Sequence, residues 1–141
     1  MSKLKNTKYS IQFASSIDEV AKLEKAIEEL KQLWEIEDRA LFQLNIVLEE
    51  LLSSTIINGF EERKDGFIEM SLDYQSPEIK IEMINNAMLF NPIEIENIPS
   101  DSNYLRQSLG DLGMVLTVQI AEDLEYAFRD ENNYLSFRIN A

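Results

Sequence analysis

Hydrophobic positions recur along this chain with two periods, one of strands and one of helices. Tyr9 to Ala14 alternates apolar and polar residues, the pattern of a half-buried strand. Val20, Leu23, Ile27, Leu30 and Trp34 then follow at three- and four-residue spacing. That spacing predicts a helix to about Glu35, with Lys22, Glu24, Lys25, Glu28, Glu29 and Lys31 on its solvated side. Ahead of it, Ser16-Ile17-Asp18-Glu19 has the form of a capping box, the serine oxygen accepting from the Glu19 N–H while Glu19 reaches back. Leu44, Leu48, Leu51, Leu52 and Thr55 form a second stripe. Asp38 is its expected cap, and Asn58-Gly59 its expected left-handed end.

Past the turn-rich Glu61–Gly66, the period returns to two. Ile68, Met70, Leu72 and Tyr74 point one way, and after Ser76-Pro77 so do Ile79, Ile81 and Met83. A loop is expected from Asn85 to Ser108, then a helix from Asp111 to about Ala121. A closing hairpin carries Leu124, Tyr126 and Phe128, a turn at Asp130–Asn133, and Leu135, Phe137 and Ile139. Clean alternation means one buried and one wet face per strand. The strands also cluster as neighbours rather than alternating with helices. The expected class is therefore α+β: a two-layer sandwich with a mixed, mostly antiparallel sheet and its helices on one face. Trp34, Met70 and Met83 are expected in the core.

Composition narrows the chemistry. A chain of 141 residues with 45% hydrophobic content suits one domain, residues 1–141. No apolar run approaches the length that crosses a bilayer, and the basic start MSKLKNTKYS leads into no apolar signal core. A soluble, cytoplasmic protein is the expectation. The absence of cysteine excludes disulfides, thiolate metal sites and cysteine nucleophiles. The absence of histidine excludes a Ser-His-Asp triad, an imidazole zinc site and phosphohistidine on this chain. Acid–base work must come from carboxylates, lysine, tyrosine or water. A net charge of -13 argues against nucleic acid and anionic membranes as partners and permits a basic protein.

Three stretches carry candidate chemistry. Glu50 sits on the shoulder of the second helix's apolar stripe, where a carboxylate is either solvated or faces a cleft. Ile84-Asn85-Asn86-Ala87-Met88-Leu89-Phe90-Asn91-Pro92 ends a strand, and Gly110-Asp111-Leu112-Gly113-Met114 opens a helix. A glycine-rich helix entrance presents unpaired N–H groups and a dipole that favour anions.

In this order the three stretches resemble the ATPase domain shared by gyrase, chaperones and sensor histidine kinases (the Bergerat or GHKL fold). The chain is most similar to the bacterial anti-sigma-factor serine/threonine kinases. The helix reads LEELLSSTIINGF from Leu48 to Phe60, the box NNAMLFNP from Asn85 to Pro92, and the glycine motif GDLGMVL from Gly110 to Leu116. The resemblance covers nearly the whole chain. It implies Glu50 as the general base, and Ser54 where the family has its magnesium-holding asparagine. It puts Asn85 where an aspartate accepts from the adenine amino group, and Ala87 where a glycine lets adenine approach. The backbone N–H groups of Gly110, Leu112 and Gly113 would meet the phosphates, under an Asn91–Leu109 lid. Met88, inside the box, is a candidate to fill the space of the base. The cofactors implied are ATP and Mg2+. The partner implied is a sigma factor or its antagonist, with a homodimer through the wet sheet face as a further expectation. The changes at Ser54, Asn85 and Ala87 imply weakened nucleotide binding or turnover. They support a second reading, a non-enzymatic interaction module that no longer binds ATP. The catalytic half of a sensor kinase fits less well, because the chain has no histidine to phosphorylate.

Overall fold

The structure, a computed structural model, describes residues 7–60, 65–88, 91 and 109–141, with backbone alone for 109–112. Strand β1 (Lys8–Ala14) leads through a short 3-10 turn at Ile17–Glu19 into α1 (Val20–Leu33). Then come α2 (Asp38–Ser54), β2 (Phe67–Gln75), β3 (Glu78–Asn85), α3 (Leu109–Ile120), β4 (Glu122–Arg129) and β5 (Asn132–Asn140). The five strands form one sheet in the order β1-β2-β3-β5-β4, and every neighbouring pair is antiparallel. The expected parallel component does not occur among them: hairpins join β2 to β3 and β4 to β5, which forces antiparallel pairing.

The inward face carries the alternating residues read from sequence. Ile68, Met70, Leu72, Ile79, Ile81, Met83, Leu135, Phe137 and Ile139 are all buried there. Opposite them lie Leu23 and Leu30 of α1 and Leu44, Val47, Leu48, Leu51 and Leu52 of α2, also buried. Helix α2 packs between α1 and α3. Together with its terminal turn, Asp38–Gly59 is long and apolar enough, by length and composition, to cross a membrane, contrary to the sequence expectation. More than half of that window is buried inside the fold. Its apolar composition follows from its central position against the sheet.

Three local expectations are corrected. At the start of α1, Ser16 Oγ accepts from Asp18 N at 3.4 Å, not from Glu19. The Glu19 carboxylate instead accepts from Ala14 N at 2.8 Å and pairs with Lys22 at 2.9 Å. The backbone hydrogen bond from Ala14, then Lys22, holds the Glu19 carboxyl below the usual carboxylate range. At α2, the cap position is Glu37, without a side-chain bond, and Asp38 is the first helical residue. The helix ends not on a left-handed glycine but in a π turn, Thr55–Gly59, closed by Phe60 N donating to Thr55 O at 3.3 Å. Among the described residues no glycine has positive φ.

Gly66 is required by close approach rather than by φ. A Cβ there would lie 2.6 Å from Phe60 Cδ1 and 2.9 Å from its Cζ, and the ring is buried. Gly66→Ala is expected to lower stability by about 1–3 kcal/mol, the usual cost of overpacking. Urea unfolding measures it.

Tyr9 Oη donates to Glu29 Oε1 at 2.5 Å, fastening β1 to α1. Burial, and then the hydrogen bond and charge of Glu29, push the phenol up from 10.0 to about 12. The fold favours the protonated phenol. Its contribution to stability is therefore complete below pH 10 and fades as pH rises toward 12. In an ultraviolet tyrosinate titration a step near pH 12 is expected, and Tyr9→Phe is expected to remove it.

The outward face is open. A groove of about 730 Å³ crosses it, lined by Ser10, Ser71, Ser136, Lys80 and Glu82 among others. Beside it Arg138 joins three strands, bonding Glu78, Glu122 and Asp123.

Candidate functional site

Glu50 projects from the penultimate turn of α2, half-buried, toward α3. The contact is intimate. A Cβ at Gly113 would collide with Glu50 Oε1 and lie 2.9 Å from Cδ. The carboxylate thus fills the space in which any side chain at 113 would begin. Gly113 is also held from its own helix, its carbonyl accepting from Thr117 Oγ1 at 2.9 Å, with Thr117 fully buried.

Helix α3 begins at Leu109, two residues earlier than expected. Gly110 therefore lies in its first turn, where its N–H has no partner within the helix, while the Leu112 N–H already belongs to the helix ladder. Gly113 falls one turn in, where its N–H belongs to the helix ladder. Its contribution here is the missing side chain.

Ser54 is the last residue of α2, 9% exposed, and its Oγ accepts from Asn58 Nδ2 at 3.5 Å. Glu50, Ser54 and Asn58 succeed one another at four-residue spacing, so oxygen-bearing groups recur along one side of the helix and its π turn. No group of three His, Cys, Asp or Glu arranged to hold a metal ion occurs among the described residues. Magnesium in phosphate sites needs fewer, one or two protein oxygens plus those of the nucleotide. The hard oxygens of Ser54 and Asn58, beside each other in the structure, would hold a magnesium carried in by a triphosphate. The ion would neutralise phosphate charge.

Asn85 closes β3 on the helix-facing side and is 2% exposed. Its Oδ1 accepts from Ala87 N and from Asn133 Nδ2, each at 3.0 Å. Asn133 Nδ2 also donates to Ala87 O and Met88 O at 3.1 Å. Tyr126 Oη completes the group by donating to Asn133 Oδ1. Ala87 is buried at the turn this network shapes. Met88 does not fill the base position: it is 67% exposed, at the rim of a cavity of about 440 Å³ that Phe67 and Phe128 also line. The expected lid from Asn91 to Leu109 and the Phe90-Asn91-Pro92 turn lie, Asn91 and Leu109 apart, outside the described residues.

The structure thus brings Glu50 and Gly113 into contact and places Asn85 and Ala87 in one hydrogen-bonded turn. Sequence reasoning missed Asn133, assigning it to a turn. The signal was present: Leu135, Phe137 and Ile139 alternate inward, and the same parity extended back reaches Asn133. The turn is shorter, Asp130-Glu131, with both residues at positive φ as a two-residue hairpin demands.

An antiparallel sheet with α1, α2 and α3 on one face makes a two-layer α+β sandwich, with a glutamate on the central helix set against a glycine-bearing helix. The model of the histidine kinase-like ATPase domain family matches residues 13–139. The chain belongs to that family, within the GHKL superfamily. A comparison with curated proteins finds no match.

Proposed function

We propose that this chain is a nucleoside-triphosphate-binding regulatory protein of the anti-sigma-factor kinase kind. In this reading it acts in the bacterial cytoplasm and controls transcription by binding a sigma factor or its antagonist. The triphosphate lies between α2 and the first turn of α3, where the amide of Gly110 and the helix dipole favour anions. Glu50 is the base, orienting or deprotonating the attacking hydroxyl of a serine on the antagonist, or water in its place. A second copy docked on the open sheet face is the accompanying proposal for assembly.

The observation that carries this reading is the contact of Glu50 with Gly113. A carboxylate reaching the first turns of α3 across a glycine supports a base beside the proposed phosphate position. Calorimetric titration with the magnesium salts of adenosine and inosine triphosphates tests it. Binding in the micromolar to millimolar range is expected. Glu50→Ala is expected to leave binding within about tenfold and to abolish turnover. No heat with either nucleotide at millimolar concentration would rule the reading out.

A second reading, binding without turnover, is favoured by Ser54, whose short hydroxyl is already engaged by Asn58. Slow hydrolysis that disappears in Glu50→Ala would argue against it.

A further inference from the structure

We propose that the end of the sheet at the β4–β5 hairpin is a docking surface for a partner protein. Its occupant is a segment in which an apolar side chain stands beside lysine or arginine. The proposal does not depend on the nucleotide reading, since none of Glu50, Ser54, Asn85 and Gly113 lines the cavity concerned.

Eight large hydrophobic side chains are exposed among the described residues, and three of them, Phe67, Met88 and Phe128, line one cavity of about 440 Å³. Exposed apolar side chains scattered singly need no explanation, whereas several around one hollow mark a contact surface. Met88 is the most open of the eight, at 67%. Its backbone is nonetheless fixed. The Met88 carbonyl accepts from the buried Asn133 Nδ2 at 3.1 Å, and Asn86 Oδ1 accepts from Phe67 N at 2.8 Å. A fixed turn thus displays a flexible thioether to solvent, and methionine adapts to varied apolar partners.

The hairpin tip adds charge to this rim. Asp130 and Glu131 line the same cavity, and both are exposed. Neither has an ion-pair partner among the described residues. The neighbouring Arg129 lies instead over the Tyr134 ring, 4.0 Å from its centre. Both tip residues have positive φ, 54° and 64°, where Asn-Gly would sit with less strain. The strained pair contributes two uncompensated carboxylates beside an apolar hollow. Such a rim attracts a cationic segment and repels an acidic one. A second copy of this chain, at a net charge of -13, is the disfavoured occupant.

Random peptides displayed on phage are selected against the full chain, and the enriched sequences are resynthesised and titrated by fluorescence anisotropy. Enriched peptides are expected to set an apolar residue next to lysine or arginine. Met88→Ser and Phe128→Ser are each expected to weaken their binding about tenfold. Replacing the tip by Asn-Gly (Asp130→Asn with Glu131→Gly) is expected to raise the urea unfolding midpoint and also to weaken binding about tenfold. A tip with a purely structural role would change stability alone, and that result overturns the proposal. So does the absence of apolar–basic enrichment, or binding that survives both serine variants unchanged. Self-association lost in Met88→Ser would assign the hollow to a second copy. Displacement of the selected peptides by a synthetic peptide of residues 89–108 would assign it to this chain's own segment. Either outcome overturns the proposal as well.

Discussion

Gly113→Ala is expected to leave the fold standing while removing the role proposed for Glu50. Two effects of similar size oppose each other in stability. Alanine in a helix interior is favoured over glycine by about 1 kcal/mol. The new Cβ collides with Glu50 Oε1, the far end of a flexible side chain, which can swing away at a cost of about 1 kcal/mol for an off-rotamer position and disturbed hydrogen bonding. The net change in unfolding free energy should stay within about 1 kcal/mol of zero. Activity has no such compensation. In the proposed reading Glu50 is the base, and displacing it by an ångström costs about a hundredfold in rate, so any turnover should fall toward the level of Glu50→Ala. The background separates the terms. With Glu50→Ala already present, Gly113→Ala meets no carboxylate, and about 1 kcal/mol of stabilisation from helix propensity should appear in urea unfolding. The same stability change in both backgrounds would show that the contact carries no energy.

Asn133→Leu is expected to cost about 3–5 kcal/mol, the largest stability effect of any single change proposed. Asn133 is 2% exposed, and its side chain satisfies Asn85 Oδ1, Ala87 O, Met88 O and Tyr126 Oη together. Leucine has the same branched skeleton and is the larger side chain, so the cost is not a cavity but several buried polar groups left without partners, about 1–3 kcal/mol each with partial relief by water. Asn133→Asp keeps the acceptor for Tyr126 but loses the donors and sets a carboxylate against two carbonyls, so it should fare no better. Denaturant unfolding of both variants gives the values. A loss under 1 kcal/mol in both would mean the network is replaced by solvent at little cost.

The two predictions differ in how far their residues could be read from sequence. Glu50 stood out as a carboxylate on the shoulder of an apolar stripe, and the role proposed for it was suggested by the glycine motif downstream. That motif was read as a source of phosphate-binding amides. In the folded chain Gly113 lies a turn inside α3 and acts through its missing Cβ, a property of how closely α2 and α3 pack. Asn133 was hidden because asparagine beside Asp130 and Glu131 reads as turn composition. Its burial depends on the hairpin turn being two residues long rather than four.

By itself the sequence determined the elements, the inward parity of the β2, β3 and β5 strands, the core membership of Trp34, Met70 and Met83, and the α+β class with helices on one face. These follow from period and local burial, which each segment carries within its own few residues. Tertiary structure alone decided the π turn that ends α2, the exposure of Met88, the seating of Glu50 against Gly113 and the orientation of the Asn85 amide. Each of these is a contact between groups far apart in the chain, or a choice of hydrogen-bond partner between equivalent-looking ends of one side chain. Such choices depend on distances of a few tenths of an ångström between packed elements, and hydrophobic periodicity carries no information at that scale.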